Sequence, residues 1–565
     1  MASISSGFET SGDWQTKVAN KRAKCLAAIP KAWLLPQSLS DTVPEQSEIS
    51  KVKLDLTALE LPRRSGILTD KELDITESYT VSALLENLAS GKLTSFEVTL
   101  AFSKRAAIAQ QVTNCLTETF FEEAQQRARY LDYLREKGEL AGPLHGLPIS
   151  LKDTYQVEGT EATIGAVAYI GRTSTENSAL VNTLLGLGAV LYVKTNLSQV
   201  LMSADSDNNI FGRVLNPLNT MLTAGGSSGG DGALIAFRGS PLSVATDIAG
   251  SIRIPSLCCG TYGFKPSAGR VPYGKQVMPL NPGITVLLPS AGPIANDINA
   301  LQIFMKTVID AAPYRNDSTV FNLPWRNVGG SLGPKLRLAL LAEDPLFPYH
   351  PPVKESLDEA VRRLQQHGHE VVFLDAAECH VAAATQVAMG LLSLDSTPME
   401  IIASGGEPAV PSVKNLGRQS QEIDWNFVPI TKDMDGLKKL GVLQNKRAEL
   451  AEAWRKLWVK YEVDAVIGPT AQSTAVEHDC FSLPAYSTFL NVLNYPVCVI
   501  PFGKASSELE FAPKRGQGTC AYKRDVVEGA PCSIQVFTGG MRDEECLAIA
   551  GVVDQCLKKR VELKL

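Results

Sequence analysis

The stretch from Ala224 to Pro255, AGGSSGGDGALIAFRGSPLSVATDIAGSIRIP, is the most informative part of the chain. Six glycines fall between Gly225 and Gly239, and a serine stands near each end, at Ser227 and Ser251. Because glycine has no Cβ, such a backbone can bend sharply and approach another group closely. This composition is unlike that of a packed helix or strand, and it predicts a site built from exposed backbone N–H groups.

The second half of the stretch points the same way. Residues 247–251 read DIAGS, a short run of small residues that ends in a hydroxyl. Consecutive N–H groups in such a turn can converge on an anion. A flexible Gly/Ser linker is the alternative. Linkers do not alternate with apolar runs such as residues 233–237 and 252–255, so a site is favoured.

Composition limits the function classes. The chain has 565 residues, of which 44% are hydrophobic, as expected for a globular protein with a large core. The length suggests several domains, or one large enzyme domain with insertions. A net charge of −6 argues against a nucleic-acid binder. No run of about 18 apolar residues occurs, so no membrane span is predicted.

Cysteine usage bears on location and on metals. The 11 cysteines form no C-x-x-C pair, and no cysteine–histidine cluster has zinc spacing, so no metal site is predicted. Reduced thiols are typical of a cytoplasmic protein. The first residues lack the apolar core of a signal peptide, which agrees with that location.

In chain order, residues 1–65 are predicted to form a partly helical arm. The segment from Thr94 to Glu97 matches a capping box and predicts a helix running towards Ala109. Residues 145–153 contain an apolar run that ends in Lys152. This pattern indicates a buried strand that delivers Lys152 at its carboxyl end, where sites lie in α/β sheets. Spacing alone favours the alternative, a surface lysine at the end of a strand.

Further elements alternate between helix and strand, which predicts an α/β fold. Helices are predicted at 120–137, 178–188, 354–367, 440–461 and 543–559, and strands at 189–194, 336–341, 370–374, 465–468, 497–501 and 533–538. Two regions are predicted to vary and to carry specificity. Residues 300–435 are expected over or beside the core, and residues 503–530 as an exposed insertion.

One alternative site lies inside the same stretch. Residues 226–230 fit G-x-S-x-G, the nucleophile elbow of α/β-hydrolases, with Ser228 as nucleophile. That mechanism needs a later acid and histidine, and the available residues are His478 with Asp479, and His350, His367, His369 and His380. An elbow follows a clear strand, and residues 216–224 contain no apolar strand pattern.

Three separated segments carry a family resemblance. Residues 148–153 (PISLKD), 225–230 (GGSSGG) and 246–253 (TDIAGSIR) resemble the amidase signature family in order and spacing. Similarity elsewhere, at residues 65–68, 98–102, 142–148 and 208–213, is to its fungal acetamidase or general-amidase branch. The resemblance implies a mixed sheet sandwiched by helices (α/β/α), with residues 66–565 as a single domain.

The resemblance also implies a Ser–cisSer–Lys triad. Ser251 would attack the amide carbonyl, and Ser227, held by a cis peptide bond from Gly226, would connect it to Lys152. A serine hydroxyl is a poor nucleophile without a base. A lysine can act as that base only when it is neutral, and burial lowers its pKa in that direction.

Further positions are assigned by the same resemblance. The oxyanion hole would use the N–H groups of Ile248, Ala249, Gly250 and Ser251, support would come from Ser228, Asp247 and Arg253, and the acyl pocket would include Leu201. Ala249 stands where the family usually has glycine, and Asp231 stands where glutamate is common. If position 249 requires a positive φ, alanine is strained there; otherwise only a methyl group is added, which narrows the acyl site.

The expected function is hydrolysis of a small-molecule carboxamide to a carboxylic acid and ammonia or an amine, without a metal or cofactor. An esterase or a biosynthetic acyl transferase would use the same triad. A partner-dependent, amidotransferase-like subunit is the alternative from another class, although the intact Lys152, Ser227 and Ser251 count against a catalytically dead scaffold. The predicted assembly allows a homodimer.

Overall fold

The computed structural model describes residues 14–44, 46–284, 286–330, 332–431 and 433–559. Within them, a sheet contains strands β1 (Leu116–Thr119), β2 (Pro148–Lys152), β3 (Val190–Thr195), β4 (Leu242–Asp247), β5 (Tyr262–Lys265), β6 (Ser290–Ala295), β7 (Arg337–Leu340), β8 (Glu370–Phe373), β9 (Ala465–Pro469), β10 (Val497–Lys504) and β11 (Pro531–Phe537).

Helices surround this sheet. The first group is α1 (Trp14–Ala27), α2 (Gln37–Ser40), α3 (Gln46–Ile49), α4 (Leu61–Arg64), α5 (Asp70–Glu77), α6 (Val81–Ser90), α7 (Ser95–Thr113), α8 (Phe121–Glu136), α9 (Ala179–Gly186), α10 (Gly229–Ala236) and α11 (Arg253–Cys259). The second group is α12 (Ile298–Asp310), α13 (Pro351–Gln366), α14 (Ala376–Cys379), α15 (Val381–Leu392), α16 (Thr397–Ser404), α17 (Pro411–Glu422), α18 (Gly436–Tyr461), α19 (Ala485–Val492), α20 (Arg524–Val527) and α21 (Asp543–Lys558).

The strands are ordered β1-β3-β2-β4-β6-β5-β10-β11-β9-β7-β8. β3, β2 and β4 pair in parallel, as do β9, β7 and β8, and the remaining pairs are antiparallel. Every residue of β2, β3 and β4 is buried, as expected where helices cover both faces of a parallel sheet. The predicted α/β class with a mixed sheet between helices is confirmed.

Local sequence signals explain where several helices begin and which face they bury. The Thr94 side chain accepts from the Glu97 N–H, and the Glu97 carboxylate accepts from the Thr94 N–H, both at 3.1 Å, so the predicted capping box is confirmed. In α13 the buried residues include Val353, Leu357 and Leu364, which recur on one side of the helix.

Residues 300–435 contribute β7 and β8 to one edge of the sheet, and the sequence predicts a strand at each of these places. One sequence prediction needs correction. The glycine-rich stretch does contain a packed helix, α10. A Cβ at Gly230 would lie 2.4 Å from the Asn196 carbonyl oxygen. The glycines therefore let this helix approach its neighbours closely.

The structure also bears on the predicted N-terminal arm and on the predicted insertion at residues 503–530. The described part of the arm is helical at α1, and its Lys21 forms ion pairs with Glu118 and, at 3.1 Å, with Glu161. Residues 1–13 and 45 of the predicted arm lie outside the described residues, and the domain boundary at residue 65 stays a prediction. Residues 503–530 are not wholly exposed, because Tyr522 and Val527 are buried in an apolar cluster.

The structure also bears on the cysteines, on membrane-spanning helices and on clusters of metal-binding residues. The structure describes all eleven cysteines, and each is a free thiol. Across the described ranges, no helix combines the length and the apolar character needed to cross a membrane. The same ranges hold no group of three or more histidine, cysteine, aspartate or glutamate residues suited to a metal ion.

An aromatic cluster joins α18 to the sheet and gives a stability prediction. Trp454 is 1% exposed, its ring lies 5.7 Å from the rings of both Phe489 and Phe537, and its Nε1–H donates to the Cys379 carbonyl at 3.0 Å. We expect Trp454→Ala to lower the free energy of unfolding by about 3–5 kcal/mol, because it leaves a cavity and an unpaired carbonyl. Denaturant unfolding measures this, with the 64%-exposed Val459→Ala on the same helix as the control.

Candidate active site

Lys152 lies at the carboxyl end of β2, and its side chain is completely buried. The Nζ atom donates to Ser227 Oγ at 2.7 Å and to Thr246 Oγ1 at 3.1 Å. The alternative of a surface lysine is therefore wrong. Because β2 is paired with β3 and β4 along its two edges and all of its residues are buried, the side chain at its end lies inside the protein rather than in water.

The electrostatics around Lys152 favour a neutral amine. Burial lowers the pKa of Lys152, because the charged form loses its hydration, and the negative charges of Asp231 and Asp247 offset this only in part. Burial also raises the pKa of Asp231, whose carboxylate accepts from Ser243 Oγ at 2.6 Å. Each shift favours the uncharged form of a group that has lost contact with water.

Ser227 follows a cis peptide bond from Gly226 and is 1% exposed. Its carbonyl oxygen accepts from the Ser198 N–H and from Ser206 Oγ, both at 3.2 Å. A Cβ at Gly226 would lie 2.4 Å from the Ser203 carbonyl oxygen. Close packing against residues 203–205 therefore requires glycine before Ser227.

Ser228 is also buried, and its hydroxyl donates to the Thr246 carbonyl at 3.4 Å. Four of the downstream histidines have described hydrogen-bond partners, and none of these partners is Ser228. They are the Cys520 carbonyl for His350, the Thr220 carbonyl for His478, the Arg363 carbonyl for His367 and the Leu336 N–H for His369. The nucleophile-elbow alternative needs an exposed serine oxygen beside a histidine. The described geometry does not supply that pair at Ser228.

The turn after β4 is held by the carboxylate of Asp247. Its Oδ1 accepts from the Gly250 N–H at 2.8 Å and its Oδ2 from the Ile252 N–H at 3.1 Å. Arg253 adds two bonds, from Nη2 to Oδ1 at 2.9 Å and from Nε to Oδ2 at 3.0 Å. Burial would raise the pKa of Asp247, but Arg253 and the further charge of Lys265 hold it well below its usual range.

Helix α19 supports this ion pair from the other side. Arg253 donates to the Ser487 carbonyl at 2.7 Å and to Asn491 Oδ1 at 2.6 Å, and Asn491 Nδ2 donates to Asp247 at 3.0 Å. A buried ion pair is stabilising only when further hydrogen bonds satisfy both partners, as they do here. The turn is thus anchored to two helices.

Glycine and alanine have different conformations in this turn. Gly250 has φ of 120°, and a Cβ there would lie 2.8 Å from side-chain atoms of Ile254 and Ser487. Ala249 is not among the residues with positive φ, so its methyl group adds bulk without backbone strain. Its carbonyl accepts from Thr488 Oγ1 at 3.1 Å.

The remaining predicted site residues are less deeply buried than Lys152 and Ser227. Ser251 is half-buried, and its hydroxyl makes no hydrogen bond with any of the residues that the structure describes. Ile248 and Ala249 are half-buried as well. Leu201, also half-buried, lies in a turn that begins at Ser198, the residue whose N–H bonds to Ser227. These four residues are therefore the partly exposed members of the predicted set.

Sequence reasoning missed several members of this arrangement. Thr246 contacts Lys152, yet within the motif it looks like an ordinary strand residue. Ser487 and Asn491 are more than 230 positions from Arg253 and carry no local signal. Only the strand order, which brings β4 and α19 to the same region, reveals them.

Comparisons with known proteins agree with one another. A family model described as Amidase matches residues 97–547. An amidase from Gibberella moniliformis is 37% identical over 97% of this chain and 99% of its own length. An acetamidase from Emericella nidulans is 34% identical over 96% of this chain and 98% of its own length.

A solved structure extends the likeness to the fold. The structure of a fatty acid amide hydrolase superposes with a TM-score of 0.84 at 28% identity, covering 97% of this chain and 96% of that one. The resemblance to the amidase signature family and its fungal branch is thus confirmed, as is the fold. With sequence, fold and family model in agreement, this chain belongs to the amidase signature family and is an amide hydrolase.

Proposed function

We propose that the chain hydrolyses a carboxamide through an acyl-enzyme on Ser251, with Ser227 and Lys152 as the proton relay. The 2.7 Å hydrogen bond between Lys152 Nζ and Ser227 Oγ carries this proposal. The lysine has no access to water, and its pKa is lowered by burial. A neutral amine in contact with a serine hydroxyl is a general base in position.

The first half-reaction forms the ester. Lys152 takes the proton of Ser227 as Ser227 takes that of Ser251, and Ser251 Oγ bonds to the carbonyl carbon. The carbonyl electron pair moves to oxygen, giving a tetrahedral intermediate. When the C–N bond breaks, the proton held by Lys152 returns through Ser227 to the leaving nitrogen, which departs as ammonia or an amine.

The second half-reaction restores the enzyme. Water attacks the ester carbonyl while Ser227 and Lys152 take its proton. The Ser251 oxygen then leaves with a proton returned along the same relay, and the carboxylic acid is released. The relay gains and loses one proton in each half, so Lys152 is neutral again when the next amide binds.

The oxyanion of both intermediates would be bound by the turn after β4. Four N–H groups were expected there, at residues 248–251. Because the Gly250 N–H already donates to Asp247, we assign the role to those of Ile248, Ala249 and Ser251. Removing one such donor typically costs about 10²–10³ in rate. Asp247 and Arg253 would fix their direction, and Ser228 would support the strand end through Thr246.

Acetamide is the first substrate to test, because relatives are named acetamidase. The added methyl of Ala249 and the side chain of Leu201 are proposed to bound the acyl group. Cytoplasmic location, a homodimer and independence from cofactors stay predictions. Esterase or acyl-transfer activity differs only in the leaving group and acceptor.

The relay predicts how single and double variants behave. We expect Lys152→Met to lower kcat for acetamide by about 10²–10⁴, because it removes the amine that acts as the base. Methionine is unbranched and similar in length to lysine, so it fills the same space. Ser227→Ala should fall in the same range, and the double variant should be no worse than the poorer single one, since both act in one relay. Ammonia release measures this, and additive losses would contradict the relay.

Active-site labelling identifies the nucleophile. A fluorophosphonate should modify Ser251 in the wild-type protein, and mass spectrometry of the digested adduct locates the site. Ser251→Ala should abolish labelling, and the neighbouring Ser228→Ala should retain it. Modification at Ser228 would instead support the nucleophile elbow. Folded protein that is never labelled would contradict the proposed function and favour a partner-dependent role.

The pH dependence has a defined sign. Because Lys152 acts as a base only when neutral, kcat/KM should rise as the pH passes through the pKa of Lys152. This rising limb of the pH profile should lie well below the ordinary lysine pKa of about 10.4. The negative charge of Asp231 raises that pKa, so Asp231→Asn should move the limb to lower pH. A limb that stays in place, or moves to higher pH, would contradict the assignment of Lys152 as the base.

A further inference from the structure

The turn that carries Leu201 has an unusual backbone. Val200 has φ of 44° and ψ of 32°, and Leu201 has φ of 61°. A bulky residue rarely adopts a left-handed conformation, and a β-branched one such as valine still more rarely. Two in succession persist only when the surroundings hold them in place. The residues that hold this turn therefore control where the Leu201 side chain lies.

One side of the turn is fixed by the core of the site. The Val200 N–H donates at 3.0 Å to the carbonyl of Ile164, which itself has φ of 48°. The Asp153 carboxylate, next to Lys152 in sequence, accepts from the Ile164 N–H at 3.2 Å and from Thr163 at 2.9 Å and 2.7 Å. Two left-handed turns are thus joined by a backbone hydrogen bond, and one of them is held by the residue that follows Lys152 in sequence.

The other side is fixed by the segment 405–412, from the region predicted to vary. The fully buried Gln199 donates from Nε2 to Glu407 Oε2 at 2.8 Å and to the Pro408 carbonyl at 3.1 Å. Its Oε1 accepts from the Val410 N–H at 2.9 Å. All three bonds of one side chain therefore reach this segment.

Glu407 is itself buried, at 5% exposure. Its Oε1 accepts from the Val167 N–H at 2.7 Å, and its Oε2 accepts from Gln199 and from Asn209 Nδ2 at 2.8 Å. Neutral donors surround it, and no cation pairs with it within the described ranges. Its hydrogen bonds to segments near residues 167, 199 and 209 make Glu407 a rigid connector rather than a surface charge.

Two further contacts continue the same connection. Ser203 Oγ and Ser412 Oγ lie 3.0 Å apart at the far end of the turn. Ile401 and Ile402 of α16 belong to the same apolar cluster as Val200 and Ile164. The segment therefore holds the turn both by hydrogen bonds and by packing.

From this geometry we infer that Gln199 and Glu407 are positioning residues that set acyl-chain specificity. They hold the Val200–Leu201 turn in its left-handed conformation, so that Leu201 closes the acyl pocket against long chains. This inference rests on the proposed function, in which Leu201 borders the acyl group. Sequence changes in residues 405–412 would then change the acyl range without touching the relay.

The test compares substrates that differ at one end only. Acetamide and octanamide differ in the acyl chain, whereas acetamide and acetanilide differ in the leaving group. Gln199→Ala should release the turn, let Leu201 withdraw and raise the octanamide-to-acetamide ratio of kcat/KM by about tenfold or more. The acetanilide-to-acetamide ratio should change less than twofold. Equal losses for all three substrates would indicate general damage and overturn the inference.

Asn209→Ala is the matched control. Asn209 Nδ2 donates to the same two acceptors as Gln199 Nε2, Glu407 Oε2 and the Pro408 carbonyl, but lies outside the turn. It should leave both ratios within twofold of wild type. If Gln199→Ala does not fold, Glu407→Gln keeps the size of the side chain, loses an acceptor and should shift the acyl ratio in the same direction. An unchanged acyl ratio in a folded Gln199 or Glu407 variant overturns the inference.

Labelling separates this inference from the proposed function. Methyl and octyl fluorophosphonates report the acyl-side preference at Ser251 whether or not amides are substrates. If wild-type protein hydrolyses amides and Gln199→Ala leaves the octyl-to-methyl labelling ratio unchanged, the inference fails and the function stands. If no amide is hydrolysed but the ratio rises in Gln199→Ala, the function fails and the inference stands. Absence of any labelling at Ser251 would overturn both.

Discussion

The hydrogen bond between Lys152 Nζ and Ser227 Oγ is the contact on which the rest of the site depends. It places an amine where water cannot reach it, and burying a charged amine costs far more than burying a neutral one. The sheet fixes one partner, because β2 is paired on both edges and covered on both faces. The glycine-rich loop fixes the other by packing its backbone against residues 203–205. In the proposed mechanism this exclusion of water makes the lysine a base, and the neighbouring carboxylates offset the lowering of its pKa only in part.

Buried carboxylates organise the backbone around the Lys152–Ser227 pair. Asp247 holds the turn after β4, Asp153 holds the turn at Ile164, and Glu407 joins the segment 405–412 to Gln199. Each accepts several hydrogen bonds, so each fixes a loop that would otherwise have to be held by packing alone. Asp247 is paired with an arginine, whereas the hydrogen bonds of Glu407 come only from neutral donors.

Much of the fold could be predicted from the sequence. Periodicity placed the strands around residues 465, 497 and 533 and the helix ending at Tyr461, because those segments have one buried face or are buried throughout. Composition misled at α10, where glycines serve close packing rather than an open loop. Spacing also favoured a surface Lys152, although the apolar run before it indicated a buried strand, and the family resemblance supported the buried alternative. Asn491 and Glu407 gave no signal, because their partners lie about 200 or more positions away and meet them only through the strand order.

The protonation state of Lys152 is the most direct test of this account. Neutron diffraction from deuterium-exchanged crystals at pH 8 would count the deuterons on Nζ and locate the one shared with Ser227. We expect two deuterons on Nζ, the neutral amine required of a base. Lys21 is the internal reference and should carry three, because burial alone would lower its pKa but the neighbouring Glu118 raises it above the ordinary lysine value. Three deuterons on Lys152 would mean that burial has not neutralised it, and the proton relay through Ser227 would be contradicted.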